Sequence, residues 1–150
     1  MNNIFYTYNN EAIACCTIYS VVKELTRISA ATISMILPFL LNDRIVEKLK
    51  STESENLLNF IARNRKLFLN FGSRYVSFLP ITINSVVLLK DFGLIKFEND
   101  NSIVLSRNEE LDFSQSGERL NQILSVSDKF ANMLKNTDTV KLFNDLKIML

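Results

Sequence analysis

The residues best suited to binding chemistry form a short basic run. Arg63, Arg65 and Lys66 lie close together, and Arg74 follows with phenylalanine and tyrosine residues interleaved. Guanidinium groups pair with phosphates and carboxylates, so the run is suited to a nucleic-acid backbone or to the acidic side chains of a partner protein. The alternative is structural, with the cations complementing the dipole at the end of a helix and the aromatic residues in the core. These four residues are the first candidates for partner contact.

Side chains that support catalysis are sparse. The chain has no histidine, which removes the commonest general base and the commonest nitrogen ligand for metals. Its three glycines, Gly72, Gly93 and Gly117, are too far apart to form a phosphate-binding loop. Glu109 and Glu110 are adjacent carboxylates, but they lie in a polar stretch typical of solvated charge. The sequence therefore predicts no enzyme, with no catalytic, cofactor-binding or metal-binding residues.

Charge and hydropathy argue against a membrane protein and against strong nucleic-acid binding. With 17 basic and 16 acidic residues the net charge is +1, so no overall field attracts DNA or an anionic bilayer. The longest uncharged apolar run, residues 28–42, is too short to span a bilayer and contains Pro38. The chain start also lacks the basic region of a signal peptide. We expect a cytoplasmic protein whose DNA contact is weak or occurs only within a complex.

The clearest local structure lies in residues 70–106. Pro80 suits a first helical turn, so a helix is predicted over 80–92, and Gly93 supplies a left-handed stop. Alternating residues around the polar turn at 99–101 predict a hairpin over 94–105. Its inward side chains are expected to be Ile95, Phe97, Ile103 and Leu105. Helix, glycine stop, strand, turn and strand follow one another in the order of a winged helix.

Helical periodicity accounts for most of the remaining chain. Helices are predicted over 11–26, over 43–50, over 54–65 and after Gly117. A further helical segment contains Pro38, which is predicted to kink it or end it. Residues 63–75 are predicted to be a turn into a short helix. A chain of 150 residues supports one core, so residues 1–150 are predicted to be a single domain. The predicted fold is mainly α with a small β-hairpin, winged-helix-like, with additional N-terminal helices and C-terminal helices over about 117–146.

The C-terminal segment is more apolar than a free chain end. Phe143, Leu146 and Ile148 are among its apolar residues, and exposed patches of this kind mark interfaces. One hypothesis is that these residues contact a partner together with the basic run. The alternative is that the segment docks on the core of its own domain.

The helix that would read DNA in a winged-helix regulator is unusually apolar. Its sequence ITINSVVLLKDF offers one lysine and one aspartate, whereas DNA-reading helices present Arg, Lys, Asn and Gln to base edges. The composition favours packing against protein. A DNA-binding transcriptional regulator is the second hypothesis, and an enzyme with an unrecognised carboxylate site is the third.

Three blocks of the sequence resemble a known family. NNIFYTYNNEAIA, MILPFLLNDRIVEKLK and FGSRYVSFLPITINSVVLLKDFGLI are similar to the middle component of prokaryotic three-component ABC systems. Members are encoded beside an SMC/Rad50-like ABC ATPase and a variable effector, often a nuclease, in defence systems against phages and plasmids that include the Lamassu type. The resemblance implies a non-enzymatic adaptor with those two proteins as partners.

Overall fold

Helices dominate the described parts of the chain, as the apolar periodicity predicts. The computed structural model describes residues 3–53, 55–106 and 110–147, with side chains from residue 11 onward. The fold is mainly helical with a small three-stranded antiparallel sheet, which confirms the predicted class. In chain order the elements are α1 (Asn3–Leu25), β1 (Arg27–Ser29), α2 (Ala30–Ile33), α3 (Ile36–Leu40), α4 (Asp43–Ser51), α5 (Leu57–Arg63), a 3-10 helix (Arg65–Phe68), α6 (Phe71–Asp91), β2 (Ile95–Phe97), β3 (Ser102–Leu105), α7 (Glu118–Lys135) and α8 (Thr139–Asp145).

The core is built around α1. This helix packs against α6, α7 and α3. Its side chains Ala14, Ile18 and Val22 are fully buried, because apolar residues occupy most of its circumference. Aromatic rings fill the adjoining space, with Phe39 lying 5.0 Å from Phe71 between ring centroids. One hydrophobic core thus joins the N-terminal, central and C-terminal helices.

The boundaries of α1 and α6 differ from the sequence prediction. α1 begins at Asn3 and not at residue 11, so Asn9 and Asn10 lie inside the helix. α6 begins at Phe71 and runs for 21 residues through Pro80, which was predicted to begin it. Pro80 is exposed, so water can reach the Val76 carbonyl that proline leaves without an N–H donor. Solvent exposure therefore accounts for a proline within this helix.

The break in the second helical segment lies before Pro38. The backbone N–H of Thr32 donates to Ser29 Oγ at 3.1 Å, and α2 ends at Ile33. Pro38 is then the third residue of α3, where the N–H that proline lacks would have no partner within the helix. The predicted kink or end near Leu37 is wrong for this reason.

The predicted hairpin and its helix stop are confirmed. Gly93 has φ 75° and its N–H donates to the Lys90 carbonyl at 3.0 Å. The N–H of Leu94 donates to the Leu89 carbonyl at 2.9 Å, which completes a Schellman ending. In the turn, Asn101 adopts φ 64°, a conformation that asparagine tolerates better than most residues.

The sheet has the order β1-β3-β2, so β3 is its central strand. Ile28 and Phe97 are both register partners of Ile103. The strand β1 was not predicted, because three residues carry too little alternation to identify a strand. Ile95 and Ile103 point inward as predicted, whereas Phe97 is 47% exposed, so its predicted inward placement is wrong. Phe97 shares a face of β2 with Ile95, but it lines an open groove beside α6 and its ring is therefore not covered.

Candidate protein interface

Three residues of the basic run lie on the surface. Arg63 ends α5, and its Nη1 lies 3.4 Å from Oε2 of Glu55. Arg65 and Lys66 are exposed on the 3-10 helix that follows. The Arg63 side chain is 73% exposed, whereas the Glu55 side chain is only 13% exposed. These cations are accessible to a partner, and their role in partner contact stays a prediction.

Arg74 differs from the other three cations because it is half-buried. Its Nη2 donates to the Pro38 carbonyl at 3.0 Å, and its guanidinium carbon lies 5.3 Å from the centre of the Phe71 ring. Burial lowers the pKa of Arg74 from its usual range. The contact joins α6 to α3, so Arg74 has a structural role, although it lies in the first turn of α6 and not at the helix end that favours a cation.

The C-terminal helix α8 docks on the core. Phe143 is 1% exposed and packs edge-to-face on Tyr75, with 5.8 Å between ring centroids. Leu146 is also buried, whereas Val140 on the outer side of α8 is 66% exposed. Ile148 lies outside the described residues. The burial of Phe143 and Leu146 supports the alternative in which this segment completes its own domain.

The outer face of α6 carries apolar residues without cover. Val76 is 63% exposed, Ile83 60% and Val87 47%, and Pro80 between them is also exposed. Their spacing of four, three and four residues places them on one side of the helix, over a length of roughly 16 Å. We call these four residues the α6 stripe. An aligned apolar surface of this kind is typical of a binding site for another protein.

A groove runs beside the α6 stripe, between α2, α6 and the hairpin. Its volume is about 750 Å³, and Glu98 is the one charged residue among the described residues that line it. The Ser34 and Tyr75 hydroxyls are hydrogen-bonded to each other at 2.9 Å. The apolar lining includes Ala31, Leu79, Ile83, Val87, Phe97 and Ile103. The groove and the stripe share Ile83 and Val87, so they form one continuous surface.

This surface was not predicted from the sequence. The prediction began the helix at Pro80, which separated Val76 from the residues that follow it. Residues 76, 80, 83 and 87 fit a single helical face once α6 is continuous. The signal was therefore in the sequence. It shows only that a face is apolar, however, and does not show that the face lacks cover.

Other chemistry is not assembled in the described parts of the chain. Within residues 3–53, 55–106 and 110–147, no group of three Cys, Asp or Glu side chains is placed to hold a metal ion. Cys15 and Cys16 are free thiols, and burial raises the pKa of both. None of the helices in the described ranges has the length and hydropathy needed to cross a bilayer.

A small helical domain with an uncovered apolar face is typical of a component that binds other proteins. The family model described as ABC-three component (ABC-3C) system Middle Component 3 matches residues 1–150. The chain belongs to this family, as the three sequence blocks indicated. No curated protein and no solved structure matches it.

Proposed function

We propose that the protein is a non-enzymatic adaptor that links an SMC/Rad50-like ABC ATPase to an effector in a cytoplasmic defence complex of the Lamassu type. Membership of a middle-component family supports a role among several proteins. The observation that carries the proposal is the α6 stripe, which leaves Val76, Ile83 and Val87 exposed along one helix. Burial of exposed apolar surface is the main favourable contribution to most protein association.

The proposal includes a winged-helix-like architecture for the adaptor. The hairpin of β2 and β3 follows α6 through Gly93, and β1 pairs with β3 from its place after α1. This chain adds α4, α5 and a 3-10 helix between α3 and α6. In such an architecture α6 takes the position of the DNA-reading helix. Its stripe is apolar, so the helix is better suited to protein than to DNA.

The first experiment compares two exposed valines on different helices. We would co-express the chain with the ATPase and effector encoded beside it and measure their co-purification. Val76 is 63% exposed on α6 and Val140 is 66% exposed on α8, so Val76→Asp and Val140→Asp are matched variants. We expect Val76→Asp to reduce co-purification at least about tenfold, because an interfacial carboxylate would be buried without a partner. Val140→Asp should leave it within about twofold.

Thermal unfolding of the isolated variants separates binding from folding. Both substitutions are on the surface, so each should change the free energy of unfolding by no more than about 0.5 kcal/mol. Loss of assembly by Val140→Asp with normal assembly by Val76→Asp would move the interface to α8. If the unaltered chain co-purifies with neither the ATPase nor the effector, the adaptor function is contradicted.

A DNA-binding measurement tests the regulator hypothesis. The purified chain should bind duplex DNA weakly and without sequence preference, because few cations are clustered on its surface. Sequence-specific binding that is lost in Lys90→Ala would favour a regulator instead.

A further inference from the structure

The groove beside the α6 stripe has features that restrict what can occupy it. Its walls are almost entirely uncharged, and Glu98 is the single charge among the described lining residues. The Ser34 and Tyr75 hydroxyls, which also line the groove, are hydrogen-bonded to each other. Few polar groups of the walls are therefore free to bind an occupant, so a mainly apolar surface fits the groove best.

Glu98 is available to an incoming cation. Its Oε1 lies 3.8 Å from Lys96 Nζ, which is an ion pair but is longer than a hydrogen bond. The backbone N–H of Glu98 donates to the Ser102 carbonyl at 2.9 Å and fixes the position of the residue in the hairpin. The carboxylate therefore keeps its capacity to accept a charge-assisted hydrogen bond from a lysine or arginine.

We propose that this groove binds an amphipathic helix from another component of the complex, with apolar anchors on successive turns and one lysine or arginine that pairs with Glu98. The inference rests on the proposed adaptor function and names the chemistry of its partner segment. Anchors at i, i+3 or i+4, and i+7 would pack on Ile83, Val87 and Phe97.

The length of the apolar surface favours a helix over a small ligand. The stripe extends from Val76 to Val87 over roughly 16 Å, which corresponds to about three turns of a partner helix. A ligand confined to the groove would leave Val76 and Pro80 exposed to water. A helix laid along α6 would cover both.

The charge distribution favours a different protein over a second copy of this chain. In a symmetric dimer the stripe of one copy would face the groove of the other. The stripe contains Val76, Pro80, Ile83 and Val87, all uncharged. The cation one turn further along, Lys90, already lies over the Phe97 ring of its own chain, with Nζ 5.2 Å from the ring centre. A partner segment that carries its own cation satisfies this site more completely.

Site-specific crosslinking identifies the occupant directly. A photoreactive benzoylphenylalanine would replace Ile83 in the full chain, co-expressed with the ATPase and effector components. The matched control places the same group at Asn59, which is exposed on α5 away from the groove. We expect Ile83 to crosslink to one segment of the ATPase or effector, identified by mass spectrometry. Its sequence should show apolar residues at helical spacing and a lysine or arginine.

Charge reversal then tests the pairing with Glu98. Glu98→Lys should weaken the affinity of the complex about tenfold or more, whereas Glu24→Lys on α1 should change it by less than about twofold. Reversal of the cation in the crosslinked segment to glutamate should restore the affinity of Glu98→Lys to within about threefold. If Glu98→Lys weakened binding only by disturbing the fold of this chain, a second substitution in the partner would not restore the affinity.

Several outcomes would overturn the inference. These are a crosslink from Ile83 to a second copy of this chain, a crosslink to a segment without helical spacing or a cation, and no crosslink at Ile83 although the complex co-purifies. In each of these cases the adaptor function can still hold. If the unaltered chain co-purifies with neither component, the proposed function fails and this inference fails with it.

Discussion

The outer face of α6 and the C-terminal helix α8 both carry apolar residues, but those of α8 are mostly buried and those of α6 are exposed. On α8, Phe143 is 1% exposed and Leu142 is fully buried. On α6, Val76 and Ile83 remain 63% and 60% exposed. The comparison teaches that apolar composition identifies surfaces that favour burial, while the rest of the chain decides which of them it can cover.

Connections between elements explain the difference. α8 follows α7 after a short turn, and the Lys141 N–H donates to Asp138 Oδ1 at 3.1 Å to begin the helix. This short connection returns Phe143 to the core, where it meets Tyr75. After α6, in contrast, Gly93 directs the chain into the hairpin beside the helix. No described element then crosses the outer face of α6.

The largest expected effect comes from a matched pair of phenylalanines. Phe143→Ala should lower the free energy of unfolding by about 3–5 kcal/mol, because it removes a fully buried ring and leaves a cavity. Phe97→Ala should lower it by no more than about 1 kcal/mol, because this ring is 47% exposed. Urea denaturation measures both. Equal losses would show that Phe97 belongs to the core and that the groove is not an open surface.

A glycine pair gives a smaller effect with opposite signs. Gly93 ends α6 at φ 75°, so Gly93→Ser should destabilise the fold by about 1–2 kcal/mol through backbone strain. Gly117 caps α7 at φ −74°, where serine is accommodated and its hydroxyl can accept from a first-turn amide. Gly117→Ser should therefore stabilise by a few tenths of a kcal/mol. Thermal unfolding checks both signs, and a neutral Gly93→Ser would contradict the role of Gly93 in fixing the groove.

Features that depend on neighbouring residues were predictable from the sequence. The Gly93 stop, the turn before Ser102 and the Ser29 cap each follow from a few adjacent residues, and the structure has all three. The buried face of α4, with Ile45 and Leu49, also follows from local periodicity.

Features that depend on distant residues were not predictable in the same way. The strand β1 exists because residues 27–29 pair with residues 102–104, far along the chain. The continuity of α6 through Pro80 depends on that residue facing solvent. The candidate site has the same origin, because exposure of the α6 stripe and burial of Phe143 are decided by the packing of other elements. A local sequence pattern does not show whether another element will cover a given apolar face.

The smallest expected effect is on acid stability and again separates the hairpin side from the C-terminal helix. Hydrogen bonds from the Ser102 hydroxyl and N–H hold the pKa of Asp100 below its ordinary value, and the hydrogen bond from Lys23 does the same for the pKa of Glu110. Because these folded-state pKa values are lowered, the carboxylates contribute stability at neutral pH. That contribution is lost as the pH falls below about 4, through the folded-state pKa values.

The measurement for this last effect is the melting temperature of the unaltered chain, Asp100→Asn and Asp145→Asn at about pH 7 and about pH 3. Asp100→Asn should melt slightly lower than the unaltered chain at neutral pH and should show a smaller loss on acidification, because it lacks the titrating group. Asp145 ends α8 and is exposed, so Asp145→Asn should follow the unaltered chain closely. A smaller acid loss in Asp145→Asn than in Asp100→Asn would assign the acid-sensitive contacts to the C-terminal helix. The expected order assigns them to the hairpin that borders the groove.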